Sequence, residues 1–134
     1  MTAKEYLMGI RLLDARIDTK LERVMRERAR AERVTSVLSP VRGSGHSVGD
    51  PMRAVDKLID MERELDGMID TLVDLKREVE LNLAVMNDPV GALVLELRYL
   101  HGDSWGKIAA RMSYSLRQVH RHHDQALQRF VPPD

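Results

Sequence analysis

The chain of 134 residues contains no cysteine. That single absence removes disulfides, thiol catalysis and thiolate metal sites together, and it suits a reducing cytosol. No apolar run approaches the roughly 20 residues needed to span a bilayer. The first twenty residues, MTAKEYLMGIRLLDARIDTK, are charged throughout and lack the apolar core of a signal peptide. A cytoplasmic protein is expected, with no membrane partner. Net charge is also missing: 21 Lys and Arg balance 21 Asp and Glu. Catalytic signatures are absent as well. The serines fall at caps or in loops, with no strand–turn–helix nucleophile elbow around them. The run GSGHSVGD lacks the lysine and the preceding strand of a phosphate loop. These absences predict a protein that is not an enzyme and carries no cofactor.

What is present is helix pattern. Proline is absent from Ala3 to Ser36, and Ile10, Leu13, Ile17, Leu21 and Val24 recur in steps of three and four. This predicts one long amphipathic helix. The next stretch, LSPVRGSGHSVGD, reads as a loop. Asp50 followed by Pro51 is a helix start, with an N-cap carboxylate and proline in the first turn. A second helix then runs to about Met86 on a heptad seam of Leu58, Met61, Leu65, Met68, Leu72, Leu75 and Val79. Gly67 interrupts it, at about 1 kcal/mol relative to alanine.

Charge is sorted along these helices. Residues 20–42 hold seven Lys and Arg against three Glu, and residues 56–80 hold four against nine acids. Helices with such narrow apolar seams do not stand alone in water. The expected arrangement for residues 1–87 is an antiparallel, coiled-coil-like two-helix hairpin that also self-associates, as a homodimer. Asn87-Asp88-Pro89 repeats the cap-then-proline signal and marks the expected boundary of a second domain, 88–134.

The segment LVLELRYLHGDSWGKIAARMSYSLRQVHRHHDQALQRF, Leu93 to Phe130, is the most informative part of the chain. It predicts three short helices. The first spans about Asp88 to Leu100, with Leu93, Leu97 and Leu100 on one side and Val94 adjoining, and ends at Gly102 in a left-handed C-cap. Ser104 caps a second, whose buried face is Trp105, Ile108, Ala109 and Met112. After a tight turn at Ser113, Ser115 caps a third, with Val119, Ala126, Leu127 and Phe130 turned inward and Asp124 on the other side. The whole chain is therefore expected to be all-α.

A trihelical unit of this kind can place the first turns of its last helix in the major groove. The outward residues there are Leu116, Arg117, Gln118, His120 and Arg121, the expected base readers. Arginine matches guanine O6/N7, glutamine matches adenine N6/N7, and Leu116 suits a thymine methyl. Ser104, Lys107, Arg111 and Ser115 are the expected contacts to the DNA backbone. Against this, residues 88–134 hold only six basic residues to five acidic, with four histidines. His120, His122 and His123 lack a carboxylate at clear ligand spacing, so no metal site is expected. Protonation of these imidazoles as pH falls toward about 6.5 would add positive charge.

The segment resembles region 4 of sigma-70-type factors. The likeness is carried by Leu97, Arg98, Tyr99, Ile108, Ala109, Met112, Ser115, Val119, Ala126 and Leu127, over about a third of the chain. Two positions depart from that pattern: Ser113 stands where glycine is common, and Gly106-Lys107 where an acid often precedes the Ile-Ala pair. With long helices ahead of it, the chain resembles phage-encoded regulators of the RinA/ArpU kind. The resemblance implies a transcriptional regulator that binds double-stranded DNA as a homodimer, with RNA polymerase as a further partner. The alternative expectation is an adaptor that engages polymerase or another regulator without DNA affinity of its own.

Overall fold

A computed structural model describes residues 1–37 and 51–133, and these are helical without strands. Five helices follow in order: α1 (Ala3–Val37), α2 (Pro51–Ala84), α3 (Pro89–Leu95), α4 (Trp105–Met112) and α5 (Leu116–Arg129). A π-helical turn, Glu96–Leu100, continues directly from α3. The expected loop before Pro51, including the N-cap at Asp50, lies outside the described residues. No helix among the described residues is long and apolar enough to cross a membrane. Contacts divide the chain into two compact units. One comprises residues 1–14 and 71–134, and the other residues 15–70. The first is larger than the expected 88–134 domain, because the start of α1 and the end of α2 belong to it.

In the unit of residues 15–70, Ile17, Val24 and Ala31 of α1 and Met61 and Leu65 of α2 are buried. The seam on α2 agrees with the sequence reading. On α1 it does not: Leu21 is 44 % exposed, and the seam steps from Ile17 to Lys20 to Val24 instead. Lys20 forms an ion pair with Glu64, and its side chain is only 16 % exposed. A step of three followed by four keeps the row on one face as readily as four followed by three, and the Glu64 carboxylate selects the lysine. That contact holds the Glu64 carboxyl below its ordinary pKa. Glu27 repeats the device one heptad later, facing Lys57 at 3.8 Å. Arg28 reaches Glu62 at 3.2 Å. Within this unit rising positions on α1 meet falling positions on α2, the order of antiparallel neighbours.

The other unit has the denser interior. Val94, Leu97, Ile108, Ala109 and Val119 form its central cluster, with Trp105, Met112 and Tyr114 packed against them. Leu7 and Ile10, from the first turns of α1, are also buried, as are Val79 and Leu83. Tyr6 stacks on Phe130 with ring centroids 6.2 Å apart. Its hydroxyl donates to Glu78 at 3.1 Å; burial and the carboxylate push the Tyr6 pKa up to about 12. Gly91 sits where α3 crosses α5. A Cβ there would lie 2.8 Å from the Cβ of Ala126 and 2.3 Å from an Asp88 oxygen. The same Asp88 caps α3 by accepting from the Gly91 N–H at 3.0 Å and holds Arg129 at 2.9 Å.

The π turn corrects the expected face of the third helix. The His101 N–H bonds to the Glu96 carbonyl at 3.0 Å, one residue further back than in an α-helix. The extra residue rotates the rest of the turn, so Leu95, Leu97, Tyr99 and Leu100 are buried together while Leu93 stays 40 % exposed. Gly102 takes the left-handed conformation, φ +77°, as expected of the C-cap. Leu127 and Trp105 are half-buried, not fully enclosed.

Candidate nucleic-acid interface

Local chemistry fixes the α4–turn–α5 segment tightly. The Ser104 hydroxyl accepts from the Lys107 N–H at 3.2 Å and starts α4. At the other end Ser113 adopts φ 58°, ψ 40°, the conformation expected from its place in the turn and costly for a residue with a Cβ. The Tyr114 N–H closes the helix onto the Ala109 carbonyl at 3.0 Å. α5 then opens with a reciprocal capping box. Ser115 Oγ accepts from the Gln118 N–H at 3.1 Å, while Gln118 Oε1 accepts from the Ser115 N–H at 2.8 Å.

Burial sorts α5 into two faces. Val119, His123, Ala126 and the C-cap Phe130 point into the protein, whereas Leu116, Arg117, Gln118, His120 and Arg121 are exposed. Arg117 and Arg121 make no ion pair among the described residues, so two guanidinium groups one helical turn apart meet solvent. Leu116, at 51 % exposure, stands beside them. Gln118 is in a different position. Its carbonyl oxygen is spent on the cap, and a two-bond grip on adenine would need that oxygen back. His120 packs its ring on Trp105, centroids 4.5 Å apart.

The four expected backbone contacts are also partly committed. Ser104 and Ser115 use their hydroxyls as caps. Lys107 and Arg111 both turn to Asp103, at 3.6 Å and 3.1 Å. Asp103 itself is 5 % exposed. A buried carboxylate needs compensation, and these two cations supply it while keeping about half of their own surfaces open. Arg98 joins them: its Nη1 donates to the Asp103 carbonyl at 3.2 Å, and its guanidinium lies 4.2 Å over the Trp105 ring. Burial, with Arg11 nearby, pushes the Arg98 pKa down.

The sequence reading missed Asp103 and misplaced His123. The spacing Asp103, Lys107, Arg111 places the three one helical turn apart, a signal that pointed to the ion-pair row. His123, expected among surface imidazoles, is 4 % exposed. Its Nε2 lies 2.7 Å from the Tyr99 hydroxyl and its Nδ1 3.2 Å from Asp124 Oδ1. The arrangement that satisfies every group is a neutral imidazole, with Nδ1–H donating to Asp124 and Nε2 accepting from Tyr99. Burial raises the Tyr99 pKa, keeping the phenol a donor, and lowers that of His123 despite Asp124. His122 stacks on Tyr114 at 5.5 Å. The three histidines are thus separated by their aromatic partners.

Compared with known proteins, the chain matches no family model, no curated protein and no solved structure.

Proposed function

We propose that the chain is a sequence-specific DNA-binding transcriptional regulator whose α4 and α5 act as a helix-turn-helix of the sigma region 4 kind. The observation that carries this reading is the pair Arg117 and Arg121: exposed, without an ion pair among the described residues, and set on the first turns of a helix whose start is fixed by a capping box. Bidentate arginine–guanine contacts are the commonest specific contacts in the major groove. A rigid helix start gives them a defined register. Leu116 adds an apolar contact suited to a thymine methyl. Gln118 contributes through its free amide donors unless the cap opens. Lys107 and Arg111 meet phosphate in competition with Asp103, which weakens non-specific attraction more than base reading.

The long helices supply self-association as a helical hairpin in this proposal. Two copies would place recognition helices about 34–36 Å apart, one turn of duplex, and raise affinity through effective concentration. No catalytic step enters, and the setting is the cytoplasm, phage or prophage DNA being the source that the resemblance implies.

A second reading is favoured by Asp103. It neutralises the two cations of α4, leaving an electrostatically modest face that fits an adaptor for RNA polymerase or another regulator. One experiment separates them. Duplexes selected from a randomised pool should converge on a site, and Arg117→Ala or Arg121→Ala should each weaken that site by roughly 1–3 kcal/mol while random duplex changes little. Equal losses on both would restrict the arginines to phosphate. Failure to select any sequence, with polymerase retained in a pull-down, would replace the regulator by the adaptor.

A further inference from the structure

Seven of the residues between Ala15 and Val37 are Lys or Arg, and five of them fall in one series: Arg16, Arg23, Arg26, Arg30 and Arg33, with Thr19 filling the gap. The intervals are those of i, i+3, i+7, i+10, i+14 and i+17, which share one face of a helix. All five arginines are exposed. Arg30 touches Glu27 at 3.6 Å. Arg16, Arg23, Arg26 and Arg33 make no ion pair among the described residues, although Arg23 lies near enough to Glu64 to help hold its carboxyl ionised. Asp18, Glu22, Glu27 and Glu32 all sit outside the series. A helix face that is merely solvated gains from interleaving signs at i,i+4. Here a chain with as many acids as bases collects its arginines in a row and keeps its acids off it.

We infer that this arginine row on α1 is a binding face for the phosphate backbone of a nucleic acid, distinct from α5 and independent of whether α5 reads bases. From Arg16 to Arg33 the row is about 25 Å long at 1.5 Å per residue. Double-stranded DNA presents a charge about every 1.7 Å of axis, so guanidinium groups spaced along such a line find phosphates in any register. An acidic protein would have to match its carboxylates to the interval. Guanidinium forks also fit phosphate with two hydrogen bonds, where lysine offers a point charge. A membrane surface fits less well. A helix lying in a bilayer interface buries its apolar face in lipid, and the apolar row of this stretch, Ile17, Val24 and Ala31, is buried within the protein.

The test uses the full chain and a labelled random-sequence duplex of about 30 base pairs, titrated across a potassium chloride series from about 50 to 300 mM. Arg16, Arg23, Arg26 and Arg33 are changed together to Gln. The salt slope should fall by about 3 to 4, near 0.9 for each phosphate that is no longer neutralised, with binding weakened on the order of 100-fold at low salt. The fourfold Arg→Lys variant should keep most of the slope. Circular dichroism should show unchanged folding, since all four side chains are exposed. An unchanged slope in a folded Gln variant overturns the inference. Equal competition by polyglutamate at matched charge, or stronger binding to vesicles of anionic lipid than to duplex, overturns the choice of nucleic acid. Arg117→Ala/Arg121→Ala should keep the salt slope largely intact, so a failure of base reading by α5 leaves this result standing.

Discussion

The two compact units of this chain hold their helices in contrasting ways. Residues 15–70 rely on a thin apolar seam with charged residues set into it, Lys20 against Glu64 and Glu27 against Lys57. Residues 1–14 and 71–134 rely on shape: fully buried Leu7, Val79, Val94, Ile108 and Val119, a helix crossing that admits only glycine, and a buried Tyr99–His123 hydrogen bond. Exposed ion pairs contribute little each, whereas packed interiors respond to a single methyl group. Substitutions of the same chemical size should therefore act very differently in the two units.

Glycine gives the largest contrast. Gly91→Ala would put a methyl 2.8 Å from the Ala126 Cβ, and an alanine Cβ yields only if α3 or α5 moves. The Asp88 oxygen beside it is held by both the α3 cap and Arg129. The expected loss is about 1–3 kcal/mol, the usual range for overpacking, measured by urea denaturation. The same change at Gly67, where an added Cβ meets nothing within 4 Å, should not destabilise. A neutral Gly91→Ala would mean that α3 and α5 do not cross closely at this residue.

Next in size is a pH effect confined to the packed unit. Burial lowers the His123 pKa below its ordinary 6.5. In the unfolded chain that imidazole gains its proton near pH 6.5; in the folded chain it resists. Below about pH 6.5 the unfolded state binds more protons, so stability should fall with pH until folded His123 is protonated as well. Asp124 opposes the shift, and Lys4 and His120 reinforce it. His123→Gln keeps an acceptor for the Tyr99 hydroxyl and cannot titrate. Its melting temperature should start lower than that of the unaltered chain at neutral pH and decline less on acidification. Parallel declines in the two proteins would show that other groups carry the acid sensitivity.

The parts of this architecture that were legible in the sequence are the local ones. Ser104 and Ser115 as caps, Gly102 and Ser113 as left-handed positions, and Ile108, Ala109 and Val119 as core all follow from spacing and backbone preference within a few residues. What escaped depends on distant partners. Nothing near Gly91 announces Ala126, and nothing near His123 announces Tyr99. The π turn at Glu96–Leu100 leaves no mark in composition, yet it decides that Leu93 faces out. The choice of Lys20 over Leu21 rests on Glu64, forty-four residues away. For the candidate interface, the exposed arginines of α5 were readable from helical periodicity. The commitments of Gln118 to its cap, and of Lys107 and Arg111 to Asp103, were not.

The smallest effects come from moving glycine between the two units. Ser113 holds φ 58° in the turn before α5, a conformation that costs an L-residue roughly 1–2 kcal/mol and glycine almost nothing. Glycine returns part of that gain as extra freedom in the unfolded chain, so Ser113→Gly should stabilise by about 0.5–1 kcal/mol. Gly67 is the mirror case, a helical glycine in α2 with room for a methyl, and Gly67→Ala should stabilise by a similar amount through backbone entropy. The two gains have independent origins in separate units, and distant independent changes add to within about 0.5 kcal/mol. The double variant, followed by urea denaturation, should therefore show the sum. A sum well short of the two single effects would mean that residues 15–70 and the remainder share a stabilising contact that the division into two units omits.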